Sequence, residues 1–169
     1  MDGKRDLVLI AALGLNREIG VKGGMPWRIP SDMKRFRLLT RGHSVIMGRL
    51  TFVSILEALR KPLPKRQNIV ITRGDFSYPG VTVARSMQEA VELAELPGEV
   101  FVAGGGQIYE LALPLAAEMW LTHVTGYFPE ADTFLPNWHV NSGWLVEDKE
   151  QKKEPKDSHE TVFRIWTRT

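Results

Sequence analysis

Hydrophobic residues in this chain form short continuous runs that alternate with amphipathic stretches. The runs are typical of buried strands and comprise LVLIAAL (7–13), HSVIMG (43–48), QNIVIT (67–72), VTVA (81–84), EVFVAGGG (99–106) and EMWLTHVTGYF (118–128). Helical patterns occur between them at 30–42, 49–61, 86–96 and from Gln107 onward. Because parallel neighbouring strands need crossover helices, this alternation predicts an α/β fold with a mostly parallel sheet.

Local signals define the remaining segments. Residues 14–30 carry four glycines and no periodic pattern, so we expect a loop there. Ser31 is the predicted N-cap of the helix at 30–42, and Ser86 and Glu89 have the spacing of a capping box. After Pro129 the segment 144–168 predicts two strands around a charged turn. This is an antiparallel C-terminal hairpin whose tip, KEQKKEPKD, is expected to be solvated.

Composition narrows the class of protein. With 169 residues and 43% hydrophobic content, we expect residues 1–169 to form a single domain. There is no cysteine and the four histidines are scattered, so neither a disulfide nor a metal site is expected. The apolar run at 7–13 has no signal-peptide cleavage site and is far shorter than a membrane span, which predicts a soluble cytoplasmic protein. A net charge of +2 is too weak to indicate nucleic-acid binding.

A strand that runs into glycines at 104–106 is the first candidate site. Backbone N–H groups at the start of the following helix, with no Cβ in the way, form a possible phosphate site. Tyr109 occupies the third glycine position of the dinucleotide fingerprint, so the motif is incomplete. The same glycines would equally suit a tight structural turn.

Basic and hydroxyl residues follow the neighbouring predicted strands. Arg49 and Thr51 come after one strand, Thr72 and Arg73 after the next, and Arg85 after a third. The carboxyl ends of parallel strands share one edge of the sheet, where ligands bind. A single surface arginine is usually only solvated, but the shared position of three indicates a ligand with several phosphates.

The stretch GMPWRIPSDMKRF (24–36) places one carboxylate, Asp32, among apolar side chains. A charge in such surroundings costs several kcal/mol unless a partner satisfies it. Asp32 therefore either decorates a helix N-terminus or pairs with a buried ligand.

Taken together, these segments resemble dihydrofolate reductases of the chromosomal bacterial type over nearly the whole chain. The matching segments are LIAAL, IGVKGGMPWRIPSDMKRF, HSVIMGRLTF, PLPKRQNIVIT, VFVAGGGQIYELALP, LTHV and EADTFLP. The resemblance implies a doubly wound, mostly parallel eight-stranded sheet with helices on both faces and an antiparallel C-terminal hairpin strand. It also implies NADPH-dependent reduction of 7,8-dihydrofolate to 5,6,7,8-tetrahydrofolate, which supplies one-carbon metabolism. The implied partners are dihydrofolate and antifolate inhibitors, bound by a monomer without nucleic acid or membrane.

The resemblance also assigns residues. Asp32 would accept hydrogen bonds from the pterin, Thr122 would orient its carboxylate, Trp27 would hold an ordered water, and Met25 would lie at the tip of a mobile lid at 14–30. The other implied substrate contacts are Ile10, Met33, Phe36 and Ile55, with Lys61 and Arg66 at the glutamate tail. The implied cofactor contacts are Ala12, Ile19, Gly20, Arg49, Leu50, Thr51, Thr72, Arg73, Arg85, Gly104, Gly105, Gly106, Gln107, Ile108 and Tyr109, with a cis Gly104–Gly105 bond.

Some positions depart from the family pattern. Ala103 stands where Ile or Val is usual, and Leu50 and Gln107 replace frequent basic residues. One alternative is a reductase of the same fold that acts on a ribosylated pyrimidine. The set of Trp27, Asp32, Thr122 and Arg66 argues against it, because only a pterin with a glutamate tail would use all four. The other is a non-enzymatic nucleic-acid-binding domain, suggested by five tryptophans and supported by no known motif.

Overall fold

The computed structural model describes residues 5–140 and 143–169. Within these residues the strands are β1 (Leu7–Leu13), β2 (Glu18–Gly20), β3 (Ser44–Gly48), β4 (Gln67–Ile71), β5 (Thr82–Ala84), β6 (Val100–Val102), β7 (Glu118–Val124), β8 (Thr133–Phe134), β9 (Trp144–Lys152) and β10 (Thr161–Arg168). The α-helices are α1 (Pro30–Thr40), α2 (Arg49–Leu59), α3 (Met87–Glu92) and α4 (Gly106–Ala112). Short 3₁₀ helices lie at Leu113–Leu115 and Trp138–Val140.

Eight of the strands form one sheet in the order β5-β4-β3-β6-β1-β7-β10-β9. The pairs from β5 to β7 are parallel, and β10 is antiparallel to both β7 and β9. The predicted fold class and the C-terminal hairpin are therefore confirmed. Strands β3 to β6 lie on one side of β1, and β7, β10 and β9 lie on the other. The chain therefore extends the sheet in both directions from β1, as in other doubly wound sheets.

The two faces of the sheet bury separate hydrophobic clusters. Successive side chains of β1 point to opposite faces, so Leu7 and Leu9 join one cluster, and Val8 and Ile10 join the other. Helices α3 and α4 cover the first face, and α1 and α2 cover the second. Because both faces are covered, β1 reads as a continuous apolar run rather than an alternating one.

The N-terminus of α1 is capped from the far end of the chain, so the prediction that Ser31 is its N-cap is wrong. The N-cap position is Ile29, whose side chain has no acceptor, and Pro30 follows it. Asp157 supplies the carboxylate instead: Oδ1 accepts from the Ser31 N–H at 3.1 Å and Oδ2 from the Ser31 hydroxyl at 2.6 Å. Asp157 is 4% exposed, so the hairpin tip is not wholly solvated as predicted.

The predicted loop at 14–30 contains secondary structure of its own. Strand β2 pairs with β8, and an isolated bridge joins Val21 to Gly24. These elements are three residues long or shorter, too short to produce a periodic pattern in the sequence. The segment is therefore tied to residues more than a hundred positions later.

The remaining element boundaries differ from prediction mainly at their ends. The strand predicted at 118–128 ends at Val124, and the helix predicted at 86–96 covers Met87–Glu92. Ser86 caps that helix as predicted, because its hydroxyl accepts from the Glu89 N–H at 3.1 Å. The Glu89 carboxylate accepts from the Arg85 N–H, one residue before the position that a capping box uses.

Across residues 5–140 and 143–169, no helix combines the length and the apolar character needed to cross a bilayer.

Candidate active site

A cavity of about 220 Å³ opens at the carboxyl end of β1, between α1 and α2. Its walls are mostly apolar, and the charged side chains among them belong to Asp32 and Arg35. The lining residues are Ile10, Ala11, Ala12, Met25, Asp32, Met33, Arg35, Phe36, Leu39, Thr51, Ile55, Ala103, Tyr109, Thr122 and Phe163. A concave apolar site with a few convergent polar groups is the usual form of a small-molecule pocket.

Asp32 lies in the first turn of α1 with its carboxylate in the cavity wall. The Thr122 hydroxyl donates to its Oδ1 at 2.6 Å, which joins α1 to β7. Within the described residues Oδ2 accepts no hydrogen bond. Burial raises the pKa of this carboxyl, while the Thr122 hydrogen bond and the Arg35 charge oppose the rise and Asp157 adds to it. The site therefore holds a desolvated acid with one oxygen facing available space.

Tyr109 and the glycine turn form a fixed wall beside this acid. The Tyr109 hydroxyl donates to the Ile10 carbonyl at 2.7 Å, and burial raises the pKa of the phenol, so it stays neutral. A Cβ on Gly104 would lie 3.1 Å from the Tyr109 ring, and Gly104 has a φ of +109°. The Gly104–Gly105 peptide bond is cis, as the resemblance implied. The glycines therefore fit both a close packing contact and a backbone conformation that favours glycine.

The predicted pterin contacts come together, and the predicted tail contacts lie outside the cavity. Ile10, Met33, Phe36 and Ile55 all line it. Arg66 does not line the cavity, but its guanidinium carbon lies 6.0 Å from the centre of the Phe36 ring. Its Nε donates to the Pro64 carbonyl at 2.8 Å and its Nη1 to the Thr40 hydroxyl at 3.1 Å. Lys61 is exposed and lines no part of the cavity.

The two lid residues singled out by sequence lie in different places. Met25 lines the cavity and is 49% exposed. Trp27 is buried outside the cavity lining, where it packs edge-on against Phe128 with ring centres 5.1 Å apart. The contacts that hold the lid include the hydrogen bonds from the Lys22 N–H to Asp132 at 2.8 Å and from the Ser54 hydroxyl to the Gly23 carbonyl at 3.2 Å. The Glu18 carboxylate also accepts from the backbone N–H groups of Asn16 and Phe128.

The predicted cofactor residues cluster at one edge of the sheet. Strands β5, β4, β3 and β6 are consecutive neighbours, so the residues that follow them share an edge. Arg85, Thr72 with Arg73, Arg49 to Thr51, and Gly104 to Gly106 occupy those positions, with Gln107 and Ile108 in the first turn of α4. Thr51 and Ala12 also line the cavity, while Ile19 and Gly20 lie in β2.

Arg85 bridges two loops at this edge. Its Nη1 donates to the carbonyls of Thr72 at 2.9 Å and Gly74 at 2.5 Å. Arg49 and Arg73 are exposed. The three arginines predicted to share this edge therefore differ in their contacts: Arg85 is partly engaged by backbone carbonyls, which its sequence position does not indicate.

Arg35 and Phe163 are site residues that the sequence interpretation missed. The Arg35 guanidinium lies 4.6 Å from the centre of the Phe163 ring, and its Nη2 donates to Glu150 at 2.8 Å. The spacing of three residues from Asp32 puts Arg35 on the same helix face, which was an available signal. The sequence contains no comparable signal for Phe163, because the position of this residue depends on how β10 pairs with β7.

No group of three or more histidine, aspartate or glutamate side chains suited to a metal ion occurs in residues 5–140 and 143–169.

Comparison with known proteins agrees with this geometry. The sequence profile of the dihydrofolate reductase family matches residues 6–168. The chain is 46% identical to the dihydrofolate reductase of Mycobacterium leprae over 82% of this chain and 88% of that protein, and 38% identical to that of Haemophilus influenzae over 95% and 97%. A solved structure of the dihydrofolate reductase from Enterococcus faecalis, complexed with NADP(H) and RAB-propyl, superposes with a TM-score of 0.83 at 26% identity, covering 97% of this chain and 96% of that one. This chain belongs to the dihydrofolate reductase family.

Proposed function

We propose that the cavity beside Asp32 binds the pterin of dihydrofolate and that the edge formed by β5, β4, β3 and β6 binds NADPH. The protein is an NADPH-dependent oxidoreductase that reduces 7,8-dihydrofolate to 5,6,7,8-tetrahydrofolate. The observation that carries the assignment of residues is the partly buried Asp32 carboxylate, oriented by Thr122 in a mostly apolar cavity. Its free oxygen suits the planar N–H edge of a 2-amino-4-oxopteridine, a charge-assisted pairing.

The residues at the sheet edge fit a dinucleotide with an additional phosphate. Gly105 packs close to Thr51, since a Cβ there would lie 3.6 Å from its hydroxyl oxygen. The Gly104 carbonyl accepts from the Gly48 N–H at 2.8 Å, which keeps the glycine turn against the start of α2. Exposed Arg49 and Arg73 supply positive charge at the same edge. When bound, NADPH supplies the hydride that is added to pterin C6.

Asp32 acts on the pterin rather than on the cofactor. It fixes the ring by accepting hydrogen bonds from the 2-amino group and N3, while Thr122 holds the carboxylate in place. Pterin N5 must also gain a proton. Within the described part of the cavity wall Asp32 is the only carboxylate, so we assign the proton delivery to water and the electrostatic control of the pterin to Asp32.

The glutamate tail would leave the cavity past Phe36 towards Arg66. Burial lowers the pKa of Arg66, and the neighbouring charge of Arg37 lowers it further. Two guanidinium groups close together favour an anionic partner, and the fork of Arg66 matches a carboxylate. We assign Lys61 to the outer end of the same tail, where it is exposed.

Lid closure would complete the site. Met25 covers the cavity, and Trp27 stiffens the end of the lid through its packing on Phe128. We assign Trp27 to an ordered water beside the pterin. The lid excludes bulk water from the reacting rings, and its opening is a step that can limit turnover.

The chain would work as a single domain and as a monomer in the cytoplasm, without nucleic acid or membrane. In support of a single domain, both hydrophobic clusters pack on the same sheet. Antifolate inhibitors that present an amidine-like N–H edge would compete for Asp32.

The test is an absorbance assay with dihydrofolate and either NADPH or NADH, run on the unchanged protein and on Asp32→Asn. We expect rapid oxidation of NADPH by the unchanged protein. Asp32→Asn should fold normally and lose about a hundredfold or more of its rate at neutral pH. Part of the rate should return at low pH, where substrate arrives already protonated. An unchanged rate in Asp32→Asn at neutral pH would contradict the role of this residue.

A further inference from the structure

Arg35 is a charged residue in the cavity wall to which the reaction described above gives no role. It lies one turn after Asp32 on α1, and its side chain is only 12% exposed. Arginine has a long side chain that usually reaches water, so its retention inside an apolar wall requires specific contacts.

Two residues of the C-terminal hairpin fix the Arg35 guanidinium. Glu150 of β9 accepts from Nη2 at 2.8 Å, and the guanidinium carbon lies over the Phe163 ring of β10, 4.6 Å from its centre. The Arg35 hydrogen bond lowers the pKa of Glu150, so Glu150 is ionised in this pair. A planar guanidinium group held by a carboxylate and by the face of an aromatic ring has little freedom to rotate away.

The second terminal nitrogen of the Arg35 guanidinium, Nη1, faces Asp32. Arg35 Nη1 lies 3.7 Å from Asp32 Oδ1, which is beyond hydrogen-bond distance but well within the range of a strong charge interaction. This nitrogen is buried and has no hydrogen-bond partner among residues 5–140 and 143–169. Its position is therefore set by Glu150 and Phe163 rather than by Asp32.

Other charged or titratable groups act on the same two residues. Asp157, from the loop between β9 and β10, opposes ionisation of Asp32, and the neutral Tyr109 hydroxyl lies on the α4 side. The Thr122 hydroxyl on β7 favours the ionised form. On the hairpin, Lys152 lies 3.8 Å from Glu150 and competes with Arg35 for it. Arg35 is the cationic side chain that contacts Asp32 directly in the described residues.

We propose that Arg35 is a positioning residue that acts through Asp32: its fixed charge, 3.7 Å from Oδ1, favours the ionised carboxylate over the neutral acid and disfavours ligands that bring a second positive charge to it. The proposal rests on the role assigned to Asp32 above. It predicts discrimination between two ligand classes. A neutral 2-amino-4-oxopteridine pairs with Asp32 at little cost, whereas a protonated 2,4-diaminopyrimidine places its cation beside Arg35.

The direct test is the titration of Asp32 in the ligand-free protein. Aspartate labelled with ¹³C at the carboxyl carbon reports it by NMR, and Asp32→Asn identifies the signal. In Arg35→Gln the midpoint should rise by about one pH unit, because an opposite charge within about 4–6 Å has been removed. Arg35→Lys keeps the charge and should restore most of the original midpoint. Arg164→Gln is the matched control, since Arg164 also pairs with a hairpin carboxylate, Asp148 at 2.6 Å, away from the cavity wall.

A second variant, Glu150→Gln, should shift the Asp32 titration midpoint in the opposite direction. Glu150 is partly exposed, so its substitution is less disruptive to the fold. Glutamine keeps a side-chain oxygen that can accept from Arg35 but removes the negative charge. The positive charge of Arg35 is then less compensated, so the Asp32 midpoint should fall. This variant keeps the test decisive if Arg35→Gln does not fold, which circular dichroism would reveal.

Ligand binding provides the second readout. Dissociation constants are measured for the neutral pteridine and for a 2,4-diaminopyrimidine, below the pH at which the latter loses its proton. Arg35→Gln should improve binding of the cation relative to the neutral ligand by about tenfold, and Glu150→Gln should worsen it. The proposal would be overturned if Arg35→Gln and Arg164→Gln had the same Asp32 titration midpoint and the same ratio of the two dissociation constants. Failure of the proposed function is seen separately, as unimpaired dihydrofolate turnover by Asp32→Asn.

Discussion

The hydroxyl of Thr122 lies 2.6 Å from Oδ1 of Asp32, so the central strand β7 holds the acid that the first turn of α1 presents. The acid and its orienting group come from elements that are 90 residues apart in sequence. Thr122 is itself only 3% exposed, which leaves its hydroxyl few other partners. The orientation of the carboxylate is therefore a property of the packed fold rather than of the helix alone.

Removing the Thr122 hydroxyl should impair catalysis more than folding. In Thr122→Val the shape of the side chain is kept, but Asp32 loses a hydrogen bond that favours its ionised form. We expect a loss of about tenfold in kcat/KM, the size of one hydrogen bond to a charged group, and a higher pKa of Asp32. Steady-state kinetics across pH would measure both. Thr122→Ser keeps the hydroxyl and serves as the control; equal kinetics for the valine and serine variants would contradict the prediction.

Loss of the Asp157 carboxylate should destabilise the protein through α1. Asp157→Ala leaves the Ser31 N–H and hydroxyl without their acceptor, and we expect a loss of about 1–2 kcal/mol in the free energy of unfolding. Urea denaturation would measure it. Asp148→Ala, which removes an exposed hairpin carboxylate, is the control and should cost less.

The same cap makes stability depend on pH. Burial favours the neutral form of Asp157, but the hydrogen bonds from Ser31 and Glu154 outweigh it and hold the pKa of Asp157 below its ordinary value. A carboxyl with a depressed folded pKa contributes its stability above the unfolded pKa, and this contribution is lost as pH falls through the folded value. The difference in stability between the unchanged protein and Asp157→Ala should therefore shrink in acid. A difference that stays constant down to low pH would rule out this linkage.

Glu18 should fix the base of the lid. Its carboxylate is 2% exposed and accepts from two backbone N–H groups, Asn16 at 2.5 Å and Phe128 at 2.6 Å. Glu18→Gln turns an amide N–H₂ towards one of these donors, and leaving a buried donor unsatisfied costs about 1–3 kcal/mol. We expect a lower unfolding free energy by urea denaturation, compared with Glu110→Gln on the exposed face of α4. If Glu18→Gln and the Glu110→Gln control had the same free energy of unfolding, the two hydrogen bonds of Glu18 would not contribute to stability.

Arg73 should select the phosphorylated cofactor. It is exposed after β4, at the edge assigned to NADPH, and among residues 5–140 and 143–169 its guanidinium donates to no backbone carbonyl, unlike that of Arg85. In Arg73→Gln we expect KM for NADPH to rise about tenfold with KM for NADH unchanged, since only the former carries the additional phosphate. Arg41→Gln, after the end of α1, controls for loss of one surface charge. A parallel rise in both KM values would move the phosphate contact elsewhere.

The parts of the fold that were predicted from sequence depend on local patterns. Apolar runs located the central strands, and the Ser86 cap was readable because cap and helix are adjacent in the chain. The cavity residues on α1 and β1 followed from the resemblance, which is itself a pattern in order and spacing. What sequence missed is long-range: the cap from Asp157 comes 126 positions after Ser31, and β2 finds its partner in β8.

Arg35 could not be assigned to the site from sequence for a different reason. Its position on the helix face beside Asp32 was visible, but a surface arginine and a buried one have the same sequence signal. The difference lies in Glu150 and Phe163, whose approach depends on the pairing of β10 with β7 and β9.

The dependence of α1 on Asp157 has a consequence for the order in which the protein becomes competent during synthesis. The ribosome completes the sequence of α1, including Asp32, long before it reaches the residue that caps this helix. Until the segment from Glu150 to Phe163 has emerged, the nascent chain also lacks the groups that hold Arg35. The pocket wall is thus finished by residues that are translated after both Asp32 and Thr122. Before they emerge, the nascent chain contains the acid and its orienting hydroxyl but lacks the cap of α1 and the groups that hold Arg35.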